Sequence, residues 1–440
     1  MPPICTQPAA ALPVPRLTRP ARQFTLRANV AWSLAGNVIY SVCQLGILIV
    51  LAKLGTAEMV GQFALALAIA SPVMIFAGLS SLRIVQATDA RSEHNFQDYL
   101  ALRIVTSVAG LLVVGGIAAF SQVPGYTKLI VLAVGIAKAC ENLSDVFGGL
   151  LQQHERMNLL ALSAIIRGVL SLVAVSLGVY LTGSLAVGVA GMVAGWILSL
   201  VFWDMRVAGI VLREENKQSP RAAWRVHWNR PALVRLAAIA FPVVLAAALV
   251  SLTTNIPRYF IQQQLGLALL GVFAAMAYPM AAGTTLINAI GQSAMPRLAR
   301  YYAQGDDRTL TLLLVRLVGI AAALGLFGVT LVAIAGRPLL ALLYRPEYAE
   351  YDNVFLWLAI GTAIFLVSGL LGYGMNAVRY FRAQLFVAVA VMLVCAASCA
   401  VLVPRSGLLG AAIAVAIASA FQAIANAGVI VLALKRRRTR

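Results

Sequence analysis

Leu54-Gly55-Thr56-Ala57-Glu58-Met59-Val60-Gly61-Gln62-Phe63-Ala64 and Leu265-Gly266-Leu267-Ala268-Leu269-Leu270-Gly271-Val272-Phe273-Ala274 are two copies of one pattern. Each begins Leu-Gly and closes on Gly-x-Phe-Ala, with five intervening residues in the first copy and four in the second. Each joins two long apolar segments, and the second segment of each carries a proline, Pro72 or Pro279. An echo at about half the length of a 440-residue chain points to a duplicated membrane unit. Internal duplication is a common plan for proteins that open alternately to the two sides of a membrane.

The composition agrees. Hydrophobic residues make up 61% of the chain and charged residues 11%, and the mean hydropathy is +0.89. Soluble domains carry about 25% charged residues; this chain is too apolar to cover itself with polar surface, so lipid is its solvent. The net charge of +19 would indicate nucleic acid in a soluble protein. In a membrane protein it reads as topology-setting arginine on cytoplasmic loops, and no nucleic-acid partner is expected. Of the five cysteines, Cys43, Cys140, Cys395 and Cys399 lie in apolar segments with no histidine or acidic residue beside the last two. They read as packing residues, and no metal site is expected.

A spanning helix needs about 20 mostly apolar residues. Twelve such segments are read near 30–52, 62–84, 99–121, 129–151, 160–182, 185–208, 235–257, 267–291, 311–335, 353–377, 383–403 and 408–434. The expected fold is an all-α integral membrane protein: two six-helix lobes, related as a parallel repeat, around a V-shaped central cavity. Residues 1–28 read as a disordered cytoplasmic arm, 29–208 as the N-lobe, 209–234 as a basic cytoplasmic linker, 235–434 as the C-lobe and 435–440 as a basic cytoplasmic tail. With both termini inside, 27 of the 34 Lys and Arg residues fall on inside segments, counting the helix-end residues beside them, as the positive-inside rule requires.

A charge in hydrocarbon costs about 2.5–3.5 kcal/mol on insertion scales, so it faces a partner or a wet cavity. The fourth span carries Lys138, Glu141, Asn142 and Asp145, on one helical face. They read either as an internal ion pair that holds helices together or as a cavity-lining stripe. Arg83 is read at the end of the second span, Arg103 at the start of the third and Arg167 about two turns into the fifth. Arg258 is read at the end of the seventh and Arg297 at the end of the eighth, after Pro296. Arginine forks suit phosphate oxygens, while the structural alternative is snorkelling to head groups. Pro72, Pro242 and Pro279 can kink or break their helices. The acidic loop from Arg345 to Asp352 reads as a solvated connector. No phosphate-loop, His-Glu-x-x-His or Cys-x-x-Cys motif is present, and no long loop bears paired carboxylates, so an enzyme is not expected.

Several segments resemble one family. Leu51-Ala52-Lys53-Leu54-Gly55, Gly61-Gln62-Phe63-Ala64, Ala87-Thr88-Asp89 and Tyr99-Leu100-Ala101-Leu102-Arg103 look like the opening helices of bacterial polysaccharide-biosynthesis membrane proteins. Met295-Pro296-Arg297-Leu298-Ala299 and Leu342-Leu343-Tyr344-Arg345-Pro346-Glu347-Tyr348 are similar to its later loops. The family is the Wzx-type polysaccharide flippases of the multidrug/oligosaccharidyl-lipid/polysaccharide exporter superfamily. The resemblance implies passage of an undecaprenyl-diphosphate-linked oligosaccharide from the cytoplasmic to the periplasmic leaflet of the bacterial inner membrane. It implies Arg167, Lys138, Arg83, Arg103, Arg258 and Arg297 as candidates to meet the diphosphate. Glu141, Asp145 and Asp89 are the candidates for coupling to H+ or Na+, with no other cofactor. Membrane lipids, a polysaccharide polymerase and a chain-length regulator are the partners it suggests. The competing reading is a cation-coupled drug antiporter of the same superfamily.

Overall fold

A computed structural model describes residues 26–89, 94–216, 228–378 and 381–438. The arm up to residue 25, residues 217–227 of the linker and residues 439–440 of the tail lie outside the described residues. In hydrocarbon every backbone N–H and C=O must be satisfied within the chain, so the apolar segments become helices. The first half comprises α1 (Leu26–Leu54), α2 (Ala57–Ala77), α3 (Leu82–Thr88), α4 (Phe96–Phe120), α5 (Gly125–Gln153), α6 (Met157–Thr182) and α7 (Leu185–Ser199). A π-helical turn, Leu200–Asp204, leads into α8 (Met205–Asn216). The second half comprises α9 (Arg230–Leu265), α10 (Leu267–Ala277), α11 (Ala281–Gln304), α12 (Asp307–Leu343), α13 (Asp352–Ala377) and α14 (Phe381–Arg438).

Among the described residues, nine helices are long and apolar enough to cross a membrane by themselves. Each of the twelve segments is helical over most of its length. α5 carries too much charge to score as a span, α10 and α11 are the two pieces of one segment, and α14 is two segments joined through a non-helical Gly407.

The structure corrects several boundaries. The second span does not run unbroken to residue 84: it stops at Ala77, and Arg83 lies on the separate helix α3. Its break is not at Pro72, which sits inside α2, but at Gly78–Ser81, where Leu79 takes a positive φ of 47°. The eighth segment breaks at Tyr278–Met280, around Pro279. Arg258 and Arg297 do not end their helices. α9 continues through Pro257 to Leu265, and α11 continues through Pro296 to Gln304.

Proline lacks an N–H, so it leaves the carbonyl four residues earlier without its helical partner. Tertiary contacts meet that need. The Ala68 carbonyl freed by Pro72 accepts from the Tyr259 hydroxyl of the other half. The Ala275 carbonyl freed by Pro279 accepts from Tyr344 at 2.7 Å. The Thr253 carbonyl freed by Pro257 is approached by the Cys395 thiol at 3.8 Å.

The two copies of the echoed motif pack on each other. A Cβ on Gly61 would run into the Leu267 carbonyl and the Gly271 nitrogen; one on Gly271 would run into the Ala57 carbonyl and the Gly61 nitrogen. Glycine is therefore needed at both positions for this backbone crossing. Two basic side chains lock the same end. Lys53 donates to the Leu342 carbonyl at 2.8 Å, and Arg345 donates to the Lys53 and Gly55 carbonyls at 3.0 and 2.9 Å. Each caps a helix C-terminus of the opposite half, where partial negative charge accumulates. The loop beginning at Arg345 is thus built into this seam rather than a solvated connector: Tyr344 and Tyr348 are 2% and 3% exposed.

One apolar core runs through both halves at this end, from Ile47, Phe63 and Val134 to Phe273, Leu340 and Cys399. At the opposite end the core divides. Leu82, Phe147 and Leu151 pack with the start of α9, including Leu236 and Ala240. Ile287, Leu298, Leu314 and Leu370 form a separate cluster. The molecule is two lobes closed at one end and parted at the other, with α9 leaning on the first lobe through Ser81 Oγ to Ala240 O at 3.0 Å.

Candidate functional site

The fourth-span stripe is distributed among three tasks. Lys138 pairs with Glu141 at 2.7 Å. Asn142 turns away and donates to the Met74 carbonyl at 3.2 Å, at the end of α2. Asp145 pairs with Arg83 at 3.5 Å, and Arg83 also reaches Gln152 at 3.2 Å. The ion-pair reading accounts for Lys138 and Glu141, and the spare carboxylate, Asp145, is taken by a second arginine.

Arg103 is 0% exposed and donates to the Gly78 carbonyl. It satisfies a carbonyl released where α2 breaks, which hydrocarbon cannot do; Asn142 adds a second donor to the Met74 carbonyl, which already accepts from the Gly78 N–H at 3.0 Å. The Nε and Nη2 of Arg103 have no hydrogen-bond partner among the described residues.

Arg167 lies beside the Lys138–Glu141 pair. Its Nε and Nη1 are buried and likewise have no partner among the described residues. Trp196 organises the two cations: its ring lies 5.9 Å from Lys138 Nζ and 5.9 Å from Arg167 Cζ, within cation–π range. The ring is fixed by its own N–H, which donates to Ser171 Oγ. Gln44, donating to Tyr40 at 2.7 Å, closes the group from α1. A small cleft, with room for about one water, is lined by Lys138, Trp196 and Gln44.

From the second lobe, Arg258 is held by Asn255 Oδ1 at 2.9 Å. Tyr278, at the break between α10 and α11, interacts electrostatically with Lys138 of the first lobe and Arg258 of the second. The structure therefore brings Lys138, Glu141, Asp145, Arg167, Arg83 and Arg103 into one polar region of the first lobe, with Arg258 facing it across Tyr278. It does not bring Arg297 or Asp89 there. Arg297 is exposed on α11. Asp89 follows α3, where it accepts from the His94 N–H at 3.2 Å and the Tyr99 hydroxyl at 3.1 Å.

Sequence reasoning missed Trp196, Tyr40, Tyr278 and Asp204. Asp204 was legible as the one carboxylate inside the sixth apolar segment. The three aromatic residues carried no signal, because an aromatic in a spanning helix looks the same whether it faces lipid or a cation.

Two lobes closed at one end, helices interrupted after Ala77 and Ala277, and a cluster of cations inside the first lobe define a multi-pass helical membrane protein. Its similarity to known proteins narrows that class. Residues 26–302 match the family described as "Polysaccharide biosynthesis protein", and the chain belongs to it. A curated relative is the capsular polysaccharide biosynthesis protein CapF of Staphylococcus aureus, 27% identical over 396 residues, covering 88% of this chain and 95% of that one. Among solved structures, an inward-facing multidrug resistance MATE-family transporter of the MOP superfamily superposes with a TM-score of 0.74 at 12% identity, covering 92% and 99% of the two chains. The lipid II flippase MurJ in an inward closed conformation gives 0.69 at 11% identity, covering 91% and 87%. The last two show the shared fold.

Proposed function

We propose that this protein flips an undecaprenyl-diphosphate-linked oligosaccharide from the cytoplasmic to the periplasmic leaflet by alternating access, as a transporter with no chemical step. The observation that carries the reading is the buried Nε and Nη1 of Arg167, without a hydrogen-bond partner among the described residues and presented beside Lys138 on Trp196. Two N–H groups of a guanidinium form a planar fork that fits phosphate oxygens. Arg258 completes the cationic lining from the second lobe. A cationic drug would be repelled by this lining, which disfavours the antiporter reading.

The parted end is assigned to the cytoplasm of a bacterial inner membrane, because the basic segments lie there and both termini share it. The diphosphate enters between the lobes, its charge met by Arg167, Lys138 and Arg258, with Arg83 and Arg297 nearer the entrance. The lipid tail stays in the bilayer at the lateral opening. Arg103 acts through the helix break instead of on the cargo. Glu141 and Asp145 exchange between their basic partners and H+ or Na+ as the seam opens. A polymerase and a chain-length regulator receive the cargo outside.

Reconstituted flipping tests this reading. A charge-assisted hydrogen bond contributes about 1.5–3 kcal/mol, so Arg167→Ala and Lys138→Ala should each weaken diphosphate binding about ten- to a hundred-fold. Full glycan export by both variants at normal protein levels would show the assignment to be wrong. Glu141→Gln and Asp145→Asn should alter the dependence on the ion gradient.

A further inference from the structure

Asp204 has no part in the transport path just described, yet the fold is arranged around it. It closes the π-helical turn Leu200–Asp204 and is 2% exposed. Such turns insert one residue into a helix, re-aim a side chain and recur at functional positions. Here the turn aims the carboxylate between α5 and α6. Ser144 Oγ of α5 donates to one carboxylate oxygen, and Ser163 Oγ of α6 donates to the other at 2.6 Å. No ion pair forms with Asp204 among the described residues.

The charged groups facing it are Asp145 from α5 and Arg167 from α6, both within electrostatic reach. Arg206, on its own helix, is exposed. A buried carboxylate without a contacting cation depends on the field around it to remain ionised. The two serines hold the carboxyl group in either protonation state, since a hydroxyl can donate to a carboxylate and accept from a carboxylic acid. The field is supplied by Arg167, whose own Nε and Nη1 have no hydrogen-bond partner among the described residues. Once an anion occupies Arg167, its positive charge is neutralised and Asp145 opposes the Asp204 charge with less compensation. Protonation then becomes the cheaper way for Asp204 to stay buried.

We infer that Asp204 is a proton-binding site linked to anion occupancy at Arg167: the protein takes up a proton on Asp204 as Arg167 engages a phosphate group. The proton comes from water and adds to a carboxylate oxygen; no bond in the cargo is made or broken. The inference rests on the reading of Arg167 as the diphosphate ligand and goes beyond it, by adding to Glu141 and Asp145 a further residue that binds a proton. Linkage is reciprocal, so phosphate binds more tightly as pH falls. With one linked proton the affinity gains at most about tenfold per pH unit beyond the probe's own titration. Sodium fits less well, because both hydroxyl protons already point at the carboxylate and a resident guanidinium lies close by.

The test is titration calorimetry of the purified full-length protein with inorganic pyrophosphate, in two buffers of different ionisation enthalpy. Wild type should take up more protons per pyrophosphate than Asp204→Asn, and Asp204→Glu should retain the uptake. Infrared difference spectra of the wild type alone, with and without pyrophosphate, should show a new carboxylic-acid carbonyl band, so the test survives a variant that fails to fold. Equal proton uptake by wild type and Asp204→Asn, no new band, or binding that depends on sodium in place of pH overturns the inference. If pyrophosphate does not bind, or binds Arg167→Ala equally well, the diphosphate reading itself fails and takes this one with it. Binding without Asp204-dependent uptake sinks only the proton site.

Discussion

Tyr259→Phe removes one oxygen and should loosen the seam between the lobes. Pro72 cannot donate to the Ala68 carbonyl, so that acceptor relies on the Tyr259 hydroxyl reaching it from the opposite half. Ala68 is 0% exposed, so no water replaces the lost donor while the seam is shut. A buried carbonyl left without a donor costs about 1–3 kcal/mol. When the lobes part, the Tyr259 bond is broken in the native protein too, so the penalty falls on the closed state alone. The closed-to-open ratio should fall by about 5- to 150-fold. A cysteine at Ala64, 3% exposed in the same core, reports this through its rate of maleimide labelling in detergent, with the labelling of the parent cysteines subtracted. The rescue is sharper than the loss. Pro72→Ala supplies an N–H four residues after Ala68, so it should restore slow labelling to Tyr259→Phe. If Tyr259→Phe labels no faster than the parent, or if Pro72→Ala fails to rescue it, the proline–tyrosine account of the seam is wrong.

The Lys138–Glu141 pair should behave as a unit. Lys138→Met or Glu141→Gln alone strands a charge in the first lobe and should lower the Tm, with a loss of about 1–3 kcal/mol at the partial exposure seen here; the double variant should recover most of it, and additive losses would refute the coupling. At the start of α12, Asp306 accepts from the Thr309 N–H at 3.0 Å. That bond holds its carboxyl below the ordinary 3.8, so the cap is complete above that value and is lost as pH falls through the lowered one. Asp306→Ala should lower the Tm at neutral pH, Asp306→Asn should keep a cap that acid does not remove, and an identical acid response of the native protein and Asp306→Asn would count against the cap.

Much of the site was visible as expense. Lys138, Glu141, Asp145 and Arg167 stand out in apolar segments because a charge in hydrocarbon must have a reason. The Lys138–Glu141 pair was visible as neighbours one turn apart, but the partners of Asp145 and Arg167 were not. The pairing of Asp145 with Arg83 depends on where α2 breaks, and the break lies at Gly78 instead of the more conspicuous Pro72. Asn142 looked like a further member of the fourth-span stripe and Arg103 like a candidate for the diphosphate, yet each donates to a backbone carbonyl at the end of α2. Asp204 was passed over because a single acidic residue near a helix end resembles a solvated one until the π-turn directs it inward.

The sequence by itself determined that the chain is a twofold array of membrane helices, because hydropathy is local and each helix satisfies its own backbone. It also marked the echoed glycines and prolines as special. Only the tertiary structure decided what they are for. Gly61 and Gly271 meet each other, Ala68 and Ala275 find tyrosines, and Lys53 and Arg345 cap helices of opposite lobes. Those contacts join residues nearly 70 to 300 positions apart, and no local pattern encodes a donor supplied from across a seam.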